Sequence, residues 1–404
     1  MKYIVILGDG MADEPVPELS GKTPLEVANK PAIDYLSEHG ELGMVKTIPN
    51  GIAPGSDAAN LSVMGYNPNR YYSGRSPLEA VSMGIPLKDT DVALRCNLVT
   101  LSDDEPYAAK TMVDYSSDEI PTEESTELMH AISRHLDAEW LHFYAGRSYR
   151  HLLVWNHGQT GQHLVPPHDI PGRPIAAFLP AGPAGEMFSK MMERSWTLLH
   201  NHPVNIRRKK EGLRPANSIW LWGEGRCPSL PDFGNKYHLK GSVISAVDLV
   251  RGIGLCAGLE VTDVEGATGN MHSNFAGKAQ AAIDLLLNKG KDFVYLHVEA
   301  PDECGHRHEV QNKVKAIEII DQQIVLPVKE ALDASGEAYS IMVLPDHPTP
   351  LNIRTHTASP VPYVIYRSGA AENALPLSYT EKNGIASGKI ITRGYTLMNR
   401  FIHG

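Results

Sequence analysis

The chain has 404 residues, enough for a large core and more than one domain, and its 42% hydrophobic and 21% charged residues match a soluble globular protein. A net charge of −10 without a long basic run argues against a nucleic-acid partner, and "RRKK" at 207–210 reads as a solvated loop. No apolar run approaches a membrane span, and Cys96, Cys227, Cys256 and Cys304 form no CxxC pair, which suits a reducing, cytoplasmic setting.

The opening run "YIVIL" (3–7) reads as a buried strand, not a signal peptide, because it passes directly into Gly8-Asp9-Gly10. "IAPGSDAANLSVMGY" (52–66) places Gly55-Ser56-Asp57 before a helix starting at Ala58-Ala59-Asn60-Leu61. Ser56 there is either an N-cap or a nucleophile whose phosphoryl group the helix N-terminus would favour. "VALRCNLVT" (92–100) predicts a strand, and "PTEESTELMHAISRHL" (121–136) a helix capped by Thr122 with Glu123 and Glu124 in its first turn. "WLHFYAG" and "YRHLLVW" predict a hairpin turning at Gly146-Arg147. This middle region, 91–214, is expected to be a smaller α+β insert in a core built from 1–90 and 215–404.

Further strands are predicted at "SIWLW" (218–222), "FVYLHV" (293–298), "SIMVL" (340–344) and "VPYVIY" (361–366), apolar enough for a sheet covered on both faces. "AAIDLLLNKG" (281–290) is a helix stopped by glycine. From Glu309 to about Leu332, Val310, Val314, Ile317, Ile320, Ile324 and Val328 recur at helical spacing. Alternating helices and strands predict an α/β, doubly wound, mostly parallel sheet.

Three predicted strands end in acids: Asp9 after the first, Asp302 after "FVYLHV", and Asp346-His347 after "SIMVL". Ligands bind outside the carboxyl ends of strands in open α/β sheets, so parallel neighbours would bring these groups to one rim. Three carboxylates packed together repel, and divalent cations remove that cost. His306 lies one helical turn from Asp302, and His356 precedes the last strand. Oxygen and imidazole donors without thiolate suit Mn²⁺, Zn²⁺, Co²⁺ or Mg²⁺. Cys304 is expected to pack inward, and His308 to face solvent or support a ligand.

In that order, Gly8-Asp9-Gly10, Gly55-Ser56-Asp57, Asp302-x-x-x-His306, Asp346-His347 and His356 give a chain that resembles the alkaline phosphatase superfamily. More closely, it resembles the archaeal-type cofactor-independent (2,3-bisphosphoglycerate-independent) phosphoglycerate mutases. "GRSPLEAVSMGI" (74–85), "PPHDIPGRP" (166–174), "ISAVDLVRGIG" (244–254) and "VEGATGN" (264–270) extend the likeness across essentially the whole chain. The resemblance implies an alkaline-phosphatase-like core and two divalent ions, usually Mn²⁺. One would be held by Asp302, His306 and His356, the other by Asp9, Asp346 and His347 with Ser56 as ligand and nucleophile. It further implies a small phosphorylated substrate and no 2,3-bisphosphoglycerate; because a shallow rim at the strand ends cannot exclude water unaided, the insert is expected to close over the site as a lid. Arg75, Arg147, Arg150 and Arg226, with Lys240, are the candidates for gripping the substrate carboxylate, since a guanidinium fork matches a carboxylate. The rival reading is homoserine kinase, proposed for part of this family. Neither GxxxxGKS/T nor a GxGxxG opening a helix after a strand is present, and "VEGATGN" is the glycine-rich candidate.

Overall fold

The apolar runs become strands in the computed structural model, which describes residues 1–370 and 377–404. Two units divide the chain: Met1–Tyr72 with Ser229–Gly404, and Ser73–Pro228. The first opens with β1 (Lys2–Gly8) and β2 (Glu41–Val45). The second holds β3 (Val92–Leu101), β4 (Met112–Asp114), β5 (Leu141–Arg147), β6 (Arg150–Trp155) and β7 (Ser218–Arg226). The chain returns to the first unit with β8 (Gly241–Ile244), β9 (Glu260–Val261), β10 (Phe293–Val298), β11 (Tyr339–Leu344), β12 (Val361–Arg367) and β13 (Ile390–Ile391).

Eight strands of the first unit form one sheet, ordered β13-β2-β12-β11-β1-β10-β8-β9. β11, β1, β10, β8 and β9 are parallel, while β12 runs antiparallel to β11 and β2. Every residue of β10 and β11 is buried, as expected for strands covered on both faces. Ile4, Ile6, Val294, Leu296, Ile341 and Val343 share one hydrophobic core with Ile33, Leu36, Phe275, Leu285, Ile317 and Ile320 of the covering helices. Burying each such side chain contributes about 1.5–3 kcal/mol.

The predicted helix from Glu309 is real but composite. Val310–Ile320 passes through a π-helical segment, Asp321–Val325, into Leu326–Ser335, and Gly336 at φ 71° ends it. The Asp321 carboxylate accepts the Ile33 N–H at 2.7 Å. It thereby caps the helix Pro31–Glu38, at whose N-cap the Lys30 side chain accepts no capping hydrogen bond and instead donates to Asp34 at 2.8 Å.

In the second unit β3 pairs with β4 and β6 on one path and with β7 beside it, all antiparallel. Leu94, Leu98, Leu128, Ile132, Phe188, Met192, Ile219 and Leu221 form its core. "SIWLW" therefore belongs to this sheet and not to the parallel one. The units divide at 72/73 and 228/229 instead of near 90 and 215, because the helix Ser76–Ser82 packs on β3 and β7. Thr122 is not a cap: Pro121 holds that position, and Thr122 Oγ1 accepts the Ser148 N–H at 3.1 Å. The hairpin turns at Ser148-Tyr149, two residues late, because the β5–β6 register shifts between Tyr144 and Arg147.

Candidate metal centre and nucleophile

β1 lies between β10 and β11, with Gly8 paired to Val298 and Leu7 to Leu344. The segments carrying Asp9, Asp302 and Asp346-His347 consequently leave the sheet side by side. Gly10 makes this crossing possible: its φ is 60°, and a Cβ there would stand 2.7 Å from the Asp302 Cα. The helix Ala300–His306 starts directly after β10 and puts Asp302 and His306 on one face.

Around His347 Nε2 stand Ser56 Oγ at 3.0 Å, Asp346 Oδ2 at 3.4 Å and Asp9 Oδ1 at 3.6 Å. A second group surrounds Asp302, with His306 Nε2 3.2 Å from Oδ2 and His356 Nε2 3.4 Å from Oδ1. The two imidazole nitrogens of that group are 2.9 Å apart. The groups adjoin, since the His347 and His356 rings lie 4.1 Å apart and donor atoms of Asp302, His347 and His356 fall within 4.8 Å of one another. Ser56 opens the helix Ser56–Val63 as its first residue, after Gly55 as N-cap. The serine is therefore not spent on capping.

Burial, and then the Asp346 and Asp302 charges, push Asp9 well above the usual carboxylate range. Burial acts the same way on Asp302, but hydrogen bonds from His306 and His356 outweigh it and hold that carboxyl well below its ordinary value. The Asp302 bond in turn lifts His306 to about 9, while burial lowers His347.

Lys240 is placed away from these donors. It is exposed just before β8, where its N–H donates to Asp292 at 3.0 Å, at the amino end of the parallel strands and roughly 20 Å of strand from the carboxyl rim. Arg226 is anchored within the second unit, donating to the carbonyls of Gly158 at 2.6 Å and Asp89 at 3.2 Å, which explains its apolar strand context structurally. Arg147 and Arg150 pair across the exposed end of the β5–β6 hairpin, with Arg150 5.5 Å from the Tyr149 ring centre. Arg75 shares the Glu79 carboxylate with Arg95, each through Nε at 2.9 Å. Cys304 packs inward, and burial pushes its thiol up to about 12. His308 bonds to the Leu351 carbonyl at 2.7 Å and faces Glu18 at 3.4 Å.

A family model described as 2,3-bisphosphoglycerate-independent phosphoglycerate mutase matches residues 37–205. A probable enzyme of that name from Geobacter sulfurreducens is 48% identical over 402 residues, covering 100% of both chains. The chain belongs to the 2,3-bisphosphoglycerate-independent phosphoglycerate mutase family. The Methanosarcina barkeri member is 47% identical, over 95% of this chain and 94% of its own. Among solved structures, the PH0037 protein from Pyrococcus horikoshii superposes with a TM-score of 0.83 at 29% identity, over 99% of this chain and 96% of its own. The cofactor-independent phosphoglycerate mutase from Thermoplasma acidophilum gives 0.65 at 26% identity, covering 100% and 99%.

The family is metal-dependent, and the residues present fit a divalent ion. Asp9 Oδ1 is buried with no hydrogen-bond partner among the described residues, an arrangement that a carboxylate oxygen tolerates poorly and a cation satisfies. All donors are oxygen or imidazole, as hard and borderline divalent ions prefer. Several supporting residues escape a reading by motif. His297 Nε2 lies 3.0 Å from Asp9 Oδ2, and donor atoms of Asp9, His297 and Asp346 also fall within 4.8 Å of one another. The Asn60 amide donates to Ser56 O at 2.8 Å and Asp346 Oδ2 at 2.9 Å, and accepts the Tyr295 hydroxyl at 2.7 Å. Thr349 Oγ1 donates to Asp302 Oδ1. Helical position alone signals Asn60, one turn after Ser56; His297 looks like one more buried strand residue. Among the described residues, no helix is long and apolar enough to cross a membrane.

Proposed function

We propose that this chain interconverts 3-phosphoglycerate and 2-phosphoglycerate without 2,3-bisphosphoglycerate, passing the phosphoryl group through Ser56. The observation that carries this reading is the convergence of Ser56, Asp9, Asp302, Asp346 and His347 at the carboxyl rim of three adjacent parallel strands. Asp302, His306 and His356 would hold one divalent ion, and Asp9, Asp346, His347 and Ser56 the other, with Mn²⁺ as the expected metal. Ions so held neutralise phosphoryl charge and acidify the serine hydroxyl.

Ser56 gives up its hydroxyl proton and its Oγ attacks the phosphorus of 3-phosphoglycerate in line; the new Oγ–P bond forms as the bond to the 3-oxygen breaks, and that oxygen takes up a proton in place of the one Ser56 lost. Glycerate then reorients, its 2-hydroxyl attacks the phosphoserine and gives up its proton, and Ser56 is regenerated. Asn60 fixes the first turn of the Ser56 helix, so the nucleophile is aimed before substrate arrives. Arginines of the second unit, Arg150 and Arg147 with Arg75 and Arg95, are the proposed grip on the glycerate carboxylate. Such retention distinguishes a mutase from a phosphatase, and the reaction fits the cytoplasm.

The test is turnover of 3-phosphoglycerate by Mn²⁺-loaded protein, followed through enolase with no 2,3-bisphosphoglycerate added, beside homoserine plus ATP. Turnover in the second assay alone would overturn the reading.

A further inference from the structure

Asp9 presents two oxygens in different circumstances. Among the described residues Oδ1 is buried without a hydrogen-bond partner and faces His347 Nε2 at 3.6 Å, whereas Oδ2 lies 3.0 Å from His297 Nε2. His297 is itself fully buried near the carboxyl end of β10, in register with Leu7 of β1. Its other ring nitrogen, Nδ1, is 3.3 Å from Ser245 Oγ, on the residue that follows β8. Three neighbouring strands, β8, β10 and β1, thus pass one hydrogen-bond chain along their ends.

The chain has a direction. Ser245 Oγ already accepts the Val247 N–H at 3.0 Å, and the described contacts of its own hydroxyl proton lead to His297 Nδ1. An imidazole accepting at Nδ1 carries its proton on Nε2 and donates there. The atom receiving that proton is Asp9 Oδ2. Ser245 is buried as well, so the Ser-His-Asp order serves no nucleophile at the rim.

We propose that His297 is a positioning residue: its Nε2–H pins Asp9 Oδ2, so that Oδ1 is the oxygen offered to a divalent cation, and Ser245 fixes the tautomer that does so. The inference rests on the two-ion reading above. It also assigns work to a buried histidine that carries none of the phosphoryl chemistry. Hydrogen-bonded partners of this kind commonly change metal affinity about 10–100-fold when removed.

Calorimetric titration of chelator-stripped protein with Mn²⁺, beside thermal melting as a control for folding, tests it. His297→Leu should bind one of two ions about 10–100-fold more weakly and leave the other unchanged. His297→Gln, which keeps an N–H donor reaching Oδ2, should recover most of that loss, and Ser245→Ala should weaken the same ion by less than His297→Leu. Wild-type affinity for both ions in His297→Leu overturns the proposal. So does His297→Gln binding as weakly as His297→Leu, the outcome expected if the ring nitrogen is itself a ligand. Should His297→Leu fail to fold, an unchanged Ser245→Ala beside a weakened His297→Gln overturns it equally. Wild-type protein that takes up no Mn²⁺ would instead sink the two-ion reading, and this inference with it.

Discussion

Ser56 Oγ and His347 Nε2 stand 3.0 Å apart although 291 residues separate them in sequence. One opens a helix and the other follows the buried strand β11, and Asn60 ties the two elements through Ser56 O and Asp346 Oδ2. Ser56 is thus placed by the fold and not by a flexible loop.

Ser56→Ala should keep the fold, since Gly55 and not Ser56 occupies the N-cap, and should lose turnover by several orders of magnitude. Mass spectrometry of protein quenched with substrate should find phosphate on Ser56. Phosphate on another residue would overturn the assignment.

Chelation should abolish activity and Mn²⁺ restore it. Asp346→Asn and His306→Ala should each lose tight binding of an ion, because Asp346 adjoins His347 and His306 adjoins Asp302 and His356. Elemental analysis after dialysis that still finds two tightly held ions in either variant would refute the ligand sets.

Lys313 lies behind the rim, fully buried against an equally buried Asp13 at 2.7 Å, and also donates to the Thr349 carbonyl at 2.9 Å. It therefore ties the segment after Asp9 to the one after His347. Lys313→Met leaves the Asp13 charge buried and uncompensated, which costs about 3–5 kcal/mol. The denaturation midpoint in urea should fall accordingly, and Asp13→Leu combined with it should recover part of the loss.

Much of this site was legible because β1, β10 and β11 are continuous apolar runs that stop at acids, and parallel neighbours align such stops. The remainder depends on tertiary pairing that no local pattern encodes. "SIWLW" is equally apolar in either sheet, and only its pairing with β3 assigns it to the second. His297 sits in a run of buried residues, and its partner Asp9 is 288 positions away. Lys240 precedes a strand instead of following one, so the same carboxyl-end rule that found Asp346 places it at the wrong edge. Arg95 hides within β3, where only the structure shows it sharing Glu79 with Arg75.

Burial raises Asp321 from 3.8 to about 6. Between those values the folded protein holds this proton while the unfolded chain has released it, so stability falls as pH rises through that window. Asp321→Asn cannot titrate but still offers an oxygen to the Ile33 N–H. Relative to wild type, the variant should gain stability between about pH 4 and about pH 7 in paired denaturant titrations. An equal difference at both pH values would show that Asp321 ionises normally.

Arg150 and Arg226 separate the two roles proposed for arginine in the second unit. Arg226 spends both terminal nitrogens on the carbonyls of Gly158 and Asp89, so Arg226→Ala should lower the melting temperature and leave the KM of folded protein near wild type. Arg150 is exposed, with its guanidinium resting near Tyr149. If it grips the glycerate carboxylate, losing that charge-assisted contact costs about 1.5–3 kcal/mol. Arg150→Ala should then raise KM about ten- to a hundredfold with little change in melting temperature. Retention should fail before chemistry does, because Ser56 and the metal ligands are untouched while free glycerate escapes from the phosphorylated enzyme. The decisive quantity is glycerate released per 2-phosphoglycerate formed, which should rise in Arg150→Ala and stay at the wild-type value in Arg226→Ala. If Arg150→Ala changes neither that ratio nor KM, the carboxylate is held elsewhere, and the Arg75–Glu79–Arg95 cluster becomes the next position to test.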